Sequence, residues 1–117
     1  MARFPRSVYD RGDEPDARFS LANERTFLAW IRTALALMAA GVALEALGIP
    51  EHPVLRMVAA LIFIALGLFA AAQAWVRWTR TEQALRENRP LLGLFPGAVI
   101  VVGIAIGVLV LTIGLFL

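Results

Sequence analysis

Arg18-Phe19-Ser20-Leu21-Ala22-Asn23-Glu24-Arg25-Thr26-Phe27-Leu28-Ala29-Trp30-Ile31-Arg32-Thr33-Ala34-Leu35 opens polar and turns apolar, and one arginine travels into the apolar part. The run continues through alanine, leucine, methionine, glycine and valine to Leu47. Wound as an α-helix, Ala22, Arg25, Ala29, Arg32, Ala36, Ala39, Ala43 and Ala46 recur at alternating steps of three and four. Such steps keep residues on one face. A second seam of Leu28, Ile31, Leu35, Met38 and Val42 runs beside it. Arg18 lies one heptad before Arg25, so three arginines share a stripe with about 20° of drift per heptad and a rise of about 10.5 Å per step. Neither lipid nor a dry core accepts a face of alanine and arginine cheaply, which makes it the first candidate for function.

The rest of the chain sets the class. It has 117 residues, room for one domain, and 60% are hydrophobic. Three long apolar stretches separated by short polar ones predict an all-α integral membrane protein with spans at about 27–47, 54–76 and 96–117. Residues 1–17 hold Pro5, Gly12, Pro15 and mixed charge without an apolar period, the composition of a mobile tail. The three-helix domain then occupies residues 18–117. About 25 polar residues precede the first span, the wrong order for a signal peptide.

Helix boundaries are marked locally. Ser20 is a candidate N-cap, with Glu24 in the first turn at the positive helix end. Gly48-Ile49-Pro50-Glu51-His52-Pro53 is a tight turn, with Pro53 suited to a first helical position. The second helix should run on past Trp75 and Trp78, interfacial residues by type, until Pro90. Along it Arg77 and Arg80 share a face, and Glu82 stands where it can pair with Arg86. The third span carries no charge; its Gly103 and Gly107, with Gly114 a heptad later, suit close helix packing.

Five arginines precede the first span and four lie between the second and third, whereas the first turn has only Arg56 nearby. The positive-inside rule then puts the N-terminus and second loop in the cytoplasm and the C-terminus outside.

Much chemistry is excluded. With no cysteine and one histidine, His52, there is no thiolate nucleophile and no histidine–cysteine metal cluster. No glycine loop cradles phosphate and no carboxylate pair sits in the spans. Loops this short build no catalytic pocket, so neither an enzyme nor a cofactor is expected. The eleven arginines are nearly balanced by acids and abut membrane, so nucleic acid is not an expected partner. A small exporter of cations would want a carboxylate deep in a helix, and Glu45, near an interface, is the one candidate. What remains is fixed positive charge at a membrane mouth. Three helices cannot enclose a lumen, so a pore would arise only by symmetric self-assembly with helix one innermost.

The run Ala22-Asn23-Glu24-Arg25-Thr26-Phe27-Leu28-Ala29-Trp30, followed by Ile31-Arg32-Thr33 and three spans, resembles the YidH-like inner-membrane proteins, the group called domain of unknown function 202. The resemblance covers about residues 16–117. The same domain forms the membrane part of the eukaryotic vacuolar transporter chaperone, a polyphosphate polymerase whose three-helix units surround a channel lined by basic residues. By that resemblance Arg25 matches the arginine of Ala-Asn-Glu-Arg and Arg18 a basic residue one heptad earlier. Arg32 belongs to the bacterial tryptophan–arginine–threonine pattern, and Arg77 or Arg80 corresponds to a basic residue at the end of helix two. The resemblance implies a homo-oligomer in the inner membrane whose vestibule or pore binds phosphate or polyphosphate at Arg18, Arg25, Arg32, Arg77 and Arg80, with Asn23 and Glu24 in support. This chain has no polymerase domain, so synthesis is not implied. The alternative is a scaffold for a protein partner, its arginines setting topology and touching lipid headgroups.

Overall fold

Four helices make up the computed structural model, which describes residues 3–91 and 95–117. They are α1 (Arg6–Tyr9), α2 (Ala17–Leu47), α3 (Pro53–Glu87) and α4 (Phe95–Phe116); no strand occurs among the described residues. α2, α3 and α4 are each long and apolar enough to cross a membrane, as the hydropathy pattern predicts. α3 stands in the middle, packed by α2 and α4 along its length and by α1 near its end. The molecule is a slab of 58 × 25 × 20 Å.

α3 has 35 residues, about 52 Å at 1.5 Å per residue, against a hydrocarbon core of roughly 30 Å. Its last turns therefore stand clear of the apolar layer beside the first turns of the antiparallel α2. This projecting end carries most of the polar side chains.

Helix α2 begins earlier than its sequence suggests. Asp16, not Ser20, is the N-cap: its carboxylate accepts the Arg18 backbone N–H at 2.9 Å. Ser20 lies inside the helix and donates its hydroxyl to Glu82 at 3.2 Å. Glu24 is consequently in the third turn, too far in to serve the helix end. An aspartate at the cap competes well with a serine four residues on, and here it captures Arg18 as well. Gly48, with φ of 66°, closes the helix in the left-handed conformation. At the turn, the His52 side chain accepts the Leu55 N–H at 3.3 Å and Pro53 opens α3 as expected. α3 stops at Glu87, three residues before Pro90, because Asn88 turns left-handed with φ of 54°.

Ala34, Leu37, Phe63, Ala70 and Ile100 form the core, flanked by Trp30, Met38, Leu44, Leu66 and Ile104. It is thin, as expected where lipid replaces water and close packing of small residues holds helices together. A Cβ at Gly41 would lie 2.7 Å from the Ala60 carbonyl oxygen, and one at Gly67 would lie 2.8 Å from that of Ala34. The α2–α3 crossing therefore rests on backbone meeting backbone. Gly103 and Gly107 of α4 face Leu66 and Phe63 of α3, matching their reading as packing residues.

Composition reads residues 1–17 as a mobile tail; Met1 and Ala2 lie outside the described residues. Residues 3–16 lie against α3. The Arg86 guanidinium, 6% exposed, donates to the carbonyls of Arg11 at 2.8 Å and Tyr9 at 3.1 Å, and reaches Glu14 at 3.4 Å. Gln83 donates to the Ser7 carbonyl, and Asp13 N–H to that of Arg86. Val8 is fully buried. Gly12, at φ of 54°, packs on the Arg86 carbonyl where any Cβ would collide. Tail composition cannot reveal this, because the residue that holds the tail is 75 positions away from Arg11. The expected Glu82–Arg86 pair is absent for the same reason. Glu82 turns to α2 and Arg86 to the tail.

Candidate functional site

The two faces of α2 have different fates. Asn23, Ala34, Leu37 and Gly41 are buried, with Phe27, Trp30 and Leu44 half-buried between them, all against α3. The opposite face is Ala22, Arg25, Ala29, Arg32, Ala36, Ala39, Ala43 and Ala46, and every one of these is exposed. Residues 23 and 25 are two helical steps apart, about 200° at 3.6 residues per turn, so the stripe points away from the chain's own core. Leu28, Leu35 and Val42 of the bulky seam are exposed beside it, while Ile31 and Met38 are half-buried. The chain thus leaves uncovered the face on which arginine alternates with alanine.

Arg18 heads this stripe but is engaged. Asp16 accepts from its Nη2 at 2.9 Å and its Nε at 3.3 Å, and these bonds hold the Asp16 carboxyl below its ordinary value. Arg25 and Arg32 form no ion pair among the described residues. Arg77 is half-buried and lines a cleft of about 240 Å³ with Ala22, Asn23 and Thr26, so it comes close to the stripe. Arg80 is exposed, about 200° around α3 from the α2-facing Glu82, and points elsewhere. Within this chain, therefore, Arg18, Arg25 and Arg32 follow one helix face with Arg77 near it, and Arg80 does not join them.

Asn23 faces inward. Its amide donates to the Trp78 carbonyl and to Glu82, both at 3.1 Å. This ties α2 to α3 and leaves Asn23 out of reach of the stripe. Glu24 is exposed and has no ion-pair partner among the described residues. Glu45 meets Arg56 at 3.4 Å across the Gly48–Pro53 turn; the carboxylate a cation exporter would need is already paired.

Sequence reasoning overlooked Glu82 and Arg86 as structural centres. Glu82 is 3% exposed and accepts from Ser20 and Asn23. A signal existed: charged residues projecting beyond the membrane on a helix whose neighbour has Ser20 and Asn23 at a spacing of three. The helical i, i+4 rule pointed to the nearer, intrahelical pairing instead. Glu14, close to Arg86, has its carboxyl held low, first by the Arg3 hydrogen bond at 2.5 Å and then by neighbouring guanidinium charge.

The model for a domain of unknown function, DUF202, matches residues 18–84, nearly all of α2 and of α3. The chain belongs to the DUF202 family. It is 50% identical over 82 residues to the inner membrane protein YidH of Escherichia coli strain K12, covering 68% of this chain and 70% of that protein. It is 48% identical over 80 residues to the uncharacterized protein Rv2272 of Mycobacterium tuberculosis strain H37Rv, covering 67% and 65%. No solved structure matches. The family match begins at Arg18 and takes in the uncovered stripe, the Asn23–Glu82 clamp and both glycines of the α2–α3 crossing.

Proposed function

We propose that this DUF202 chain is a multi-pass inner-membrane protein that assembles as a symmetric homo-oligomer with the alanine–arginine face of α2 innermost. Arg18, Arg25 and Arg32 then form stacked rings around a vestibule or pore that binds phosphate-rich anions, polyphosphate or inorganic phosphate. The N-terminus lies in the cytoplasm and the C-terminus outside, as the arginine distribution favours. One observation carries the reading: every position of the stripe is exposed in the protomer. An arginine facing lipid costs roughly 2.5–3.5 kcal/mol on insertion scales, and small residues are what let helices approach in a bilayer. A second copy of the same face, with water and anions between, satisfies both. Arginine suits the ligand, since its planar fork stays charged and takes phosphate oxygens two at a time. Arg77 adds charge at the same end; Arg80 contributes only across a neighbouring copy. Asp16 would have to yield Arg18 to an incoming anion.

A second reading follows from the bulky seam. Exposed Leu28, Leu35 and Val42 next to Arg25 and Arg32 fit a lipid-facing surface whose arginines snorkel to headgroups, in a non-catalytic scaffold. Binding of labelled polyphosphate to the purified, detergent-solubilised protein separates the two. Saturable binding that survives about 0.15 M salt, where exposed charges are largely screened, and is lost in both Arg25→Ala and Arg32→Ala is the expected result. Weak binding that fades with salt and ignores both substitutions would sink the anion-ring reading and leave the scaffold.

A further inference from the structure

The projecting end of the molecule has a second polar feature, on the other side of the α2–α3 seam from Arg77. A cavity of about 320 Å³ opens between α2, the end of α3 and residues 3–14. Its walls include Tyr9, Phe27, Trp75 and Trp78, and two carboxylates, Glu24 and Glu82, reach it. The aromatic rings are in mutual contact: Trp75 and Trp78 are 5.7 Å apart, and Phe27 and Tyr9 each sit 6.4 Å from Trp78.

The charge balance of the cavity is one-sided. Arg3 and Glu14 line it too and form a salt bridge, and the Arg3 charge also acts on Glu82, so one guanidinium stands among three carboxylates. Glu82, though nearly inaccessible, accepts only from the neutral donors Ser20 and Asn23. Glu24 forms no ion pair among the described residues. A buried carboxylate that no guanidinium or ammonium touches directly is costly, and a cation brought into the cavity lowers that cost. The cavity has already admitted one cation: the Arg3 guanidinium lies 4.2 Å over the Tyr9 ring.

We propose that this cavity is a binding site for an alkylammonium group, held between the aromatic walls and the Glu24 and Glu82 carboxylates. The negative faces of aromatic rings attract weakly hydrated organic cations, most strongly where the site is partly desolvated. A hydrated metal ion fits poorly, since hard cations want six or more oxygen ligands, and no cluster of three candidate ligands exists among the described residues. An anion would meet uncompensated carboxylate. The tryptophans, of a type that settles at headgroup level, suit either an amine-bearing lipid headgroup or a free alkylamine. The proposal stands apart from the arginine stripe and does not depend on it.

The test uses the full chain in nanodiscs of phosphatidylglycerol, titrated with choline and with ethanolamine while tryptophan emission is followed. A saturable change is expected, retained in Trp30→Phe, whose ring lies elsewhere, and absent with inorganic phosphate. Glu24→Gln, which removes an exposed carboxylate with no structural partner, should weaken the affinity by about tenfold, the worth of one charge-assisted contact. Trp75→Ala should weaken it as well. Glu82→Gln should abolish it where gel filtration shows the variant folded; if it misfolds, Glu24→Gln decides alone. No saturable response to either amine, or wild-type affinity in Glu24→Gln, would overturn the proposal. Replacing part of the lipid by phosphatidylethanolamine identifies the source. Competition by that lipid makes its headgroup the occupant, and an unchanged affinity makes it a free amine.

Discussion

The inner and outer faces of α2 are built from similar small residues and end in opposite situations. On the inner face, Ala34 and Gly41 meet the α3 backbone closely, Leu37 packs in the core, and the Asn23 amide nitrogen donates to Trp78 and Glu82. On the outer face, alanines at the same heptad spacing are exposed, and among the described residues the one ion-pair partner of their arginines is Asp16. Small residues at a helical period announce close approach, but not which neighbour approaches. The inner face settles that within the chain. The outer face stays exposed.

The contrast breaks most sharply under overpacking. Gly41→Leu forces a side chain onto the Ala60 carbonyl and Ile64, and should destabilise the protomer by about 3 kcal/mol in a denaturing-detergent titration. The matching outer substitution, Ala39→Leu, should leave that midpoint unchanged and abolish chemical crosslinking between copies. Equal loss of protomer stability in both variants would mean that the outer face is structurally occupied after all.

A second contrast sets Arg86 against the stripe arginines. Arg86 is buried and holds the N-terminal segment by charge-assisted bonds to its carbonyls, each worth more than a neutral hydrogen bond. Arg86→Ala should speed tryptic cleavage after Arg6 and Arg11 by about tenfold or more, since cleavage follows the population of the open segment. Arg25→Ala should not alter it. Identical digestion of wild type and Arg86→Ala would show the segment to be loose in both.

Acidification should have the smallest effect. Glu14 and Asp16 titrate lower in the folded chain than their ordinary values of 4.5 and 3.8, because of Arg3 and Arg18 respectively. A depressed carboxyl contributes stability above its unfolded value, and that contribution disappears as pH falls through the folded value. Docking of residues 3–16 should thus hold at neutral pH and loosen progressively below about pH 4. The shift is small because both carboxylates are solvent-exposed and such pairs are worth little. Tryptophan emission, reporting Phe4 on Trp75 and Tyr9 on Trp78, should change over that range in wild type and not in a Glu14→Gln, Asp16→Asn double variant. The same change in both would assign it to other groups.

Reading the chain without its structure was most reliable where one residue decides one local event. Pro53 starts a helix because it lacks an N–H; the end of α2, by contrast, is set by Gly48 turning left-handed two residues before Pro50. Apolar stretches of about twenty residues are helices because lipid leaves backbone groups no other partner. The Ala22-Asn23-Glu24-Arg25 run located the family in the same way. It failed where two choices were chemically close, as with Ser20 and Asp16 for the cap, or Arg86 and Ser20 as partner for Glu82.

Sequence alone therefore determined three spanning helices, their turns and the stripe of arginine and alanine, since each follows from period, length and local backbone preference. Only the tertiary structure decided which face of α2 is used internally, that Asn23 and Glu82 lock α2 to α3, and that Arg86 gathers residues 3–16. Those outcomes depend on groups some 60 to 75 residues apart. At that separation the winning contact is set by how two helices cross and how far each projects beyond the apolar layer, and no local pattern records either quantity.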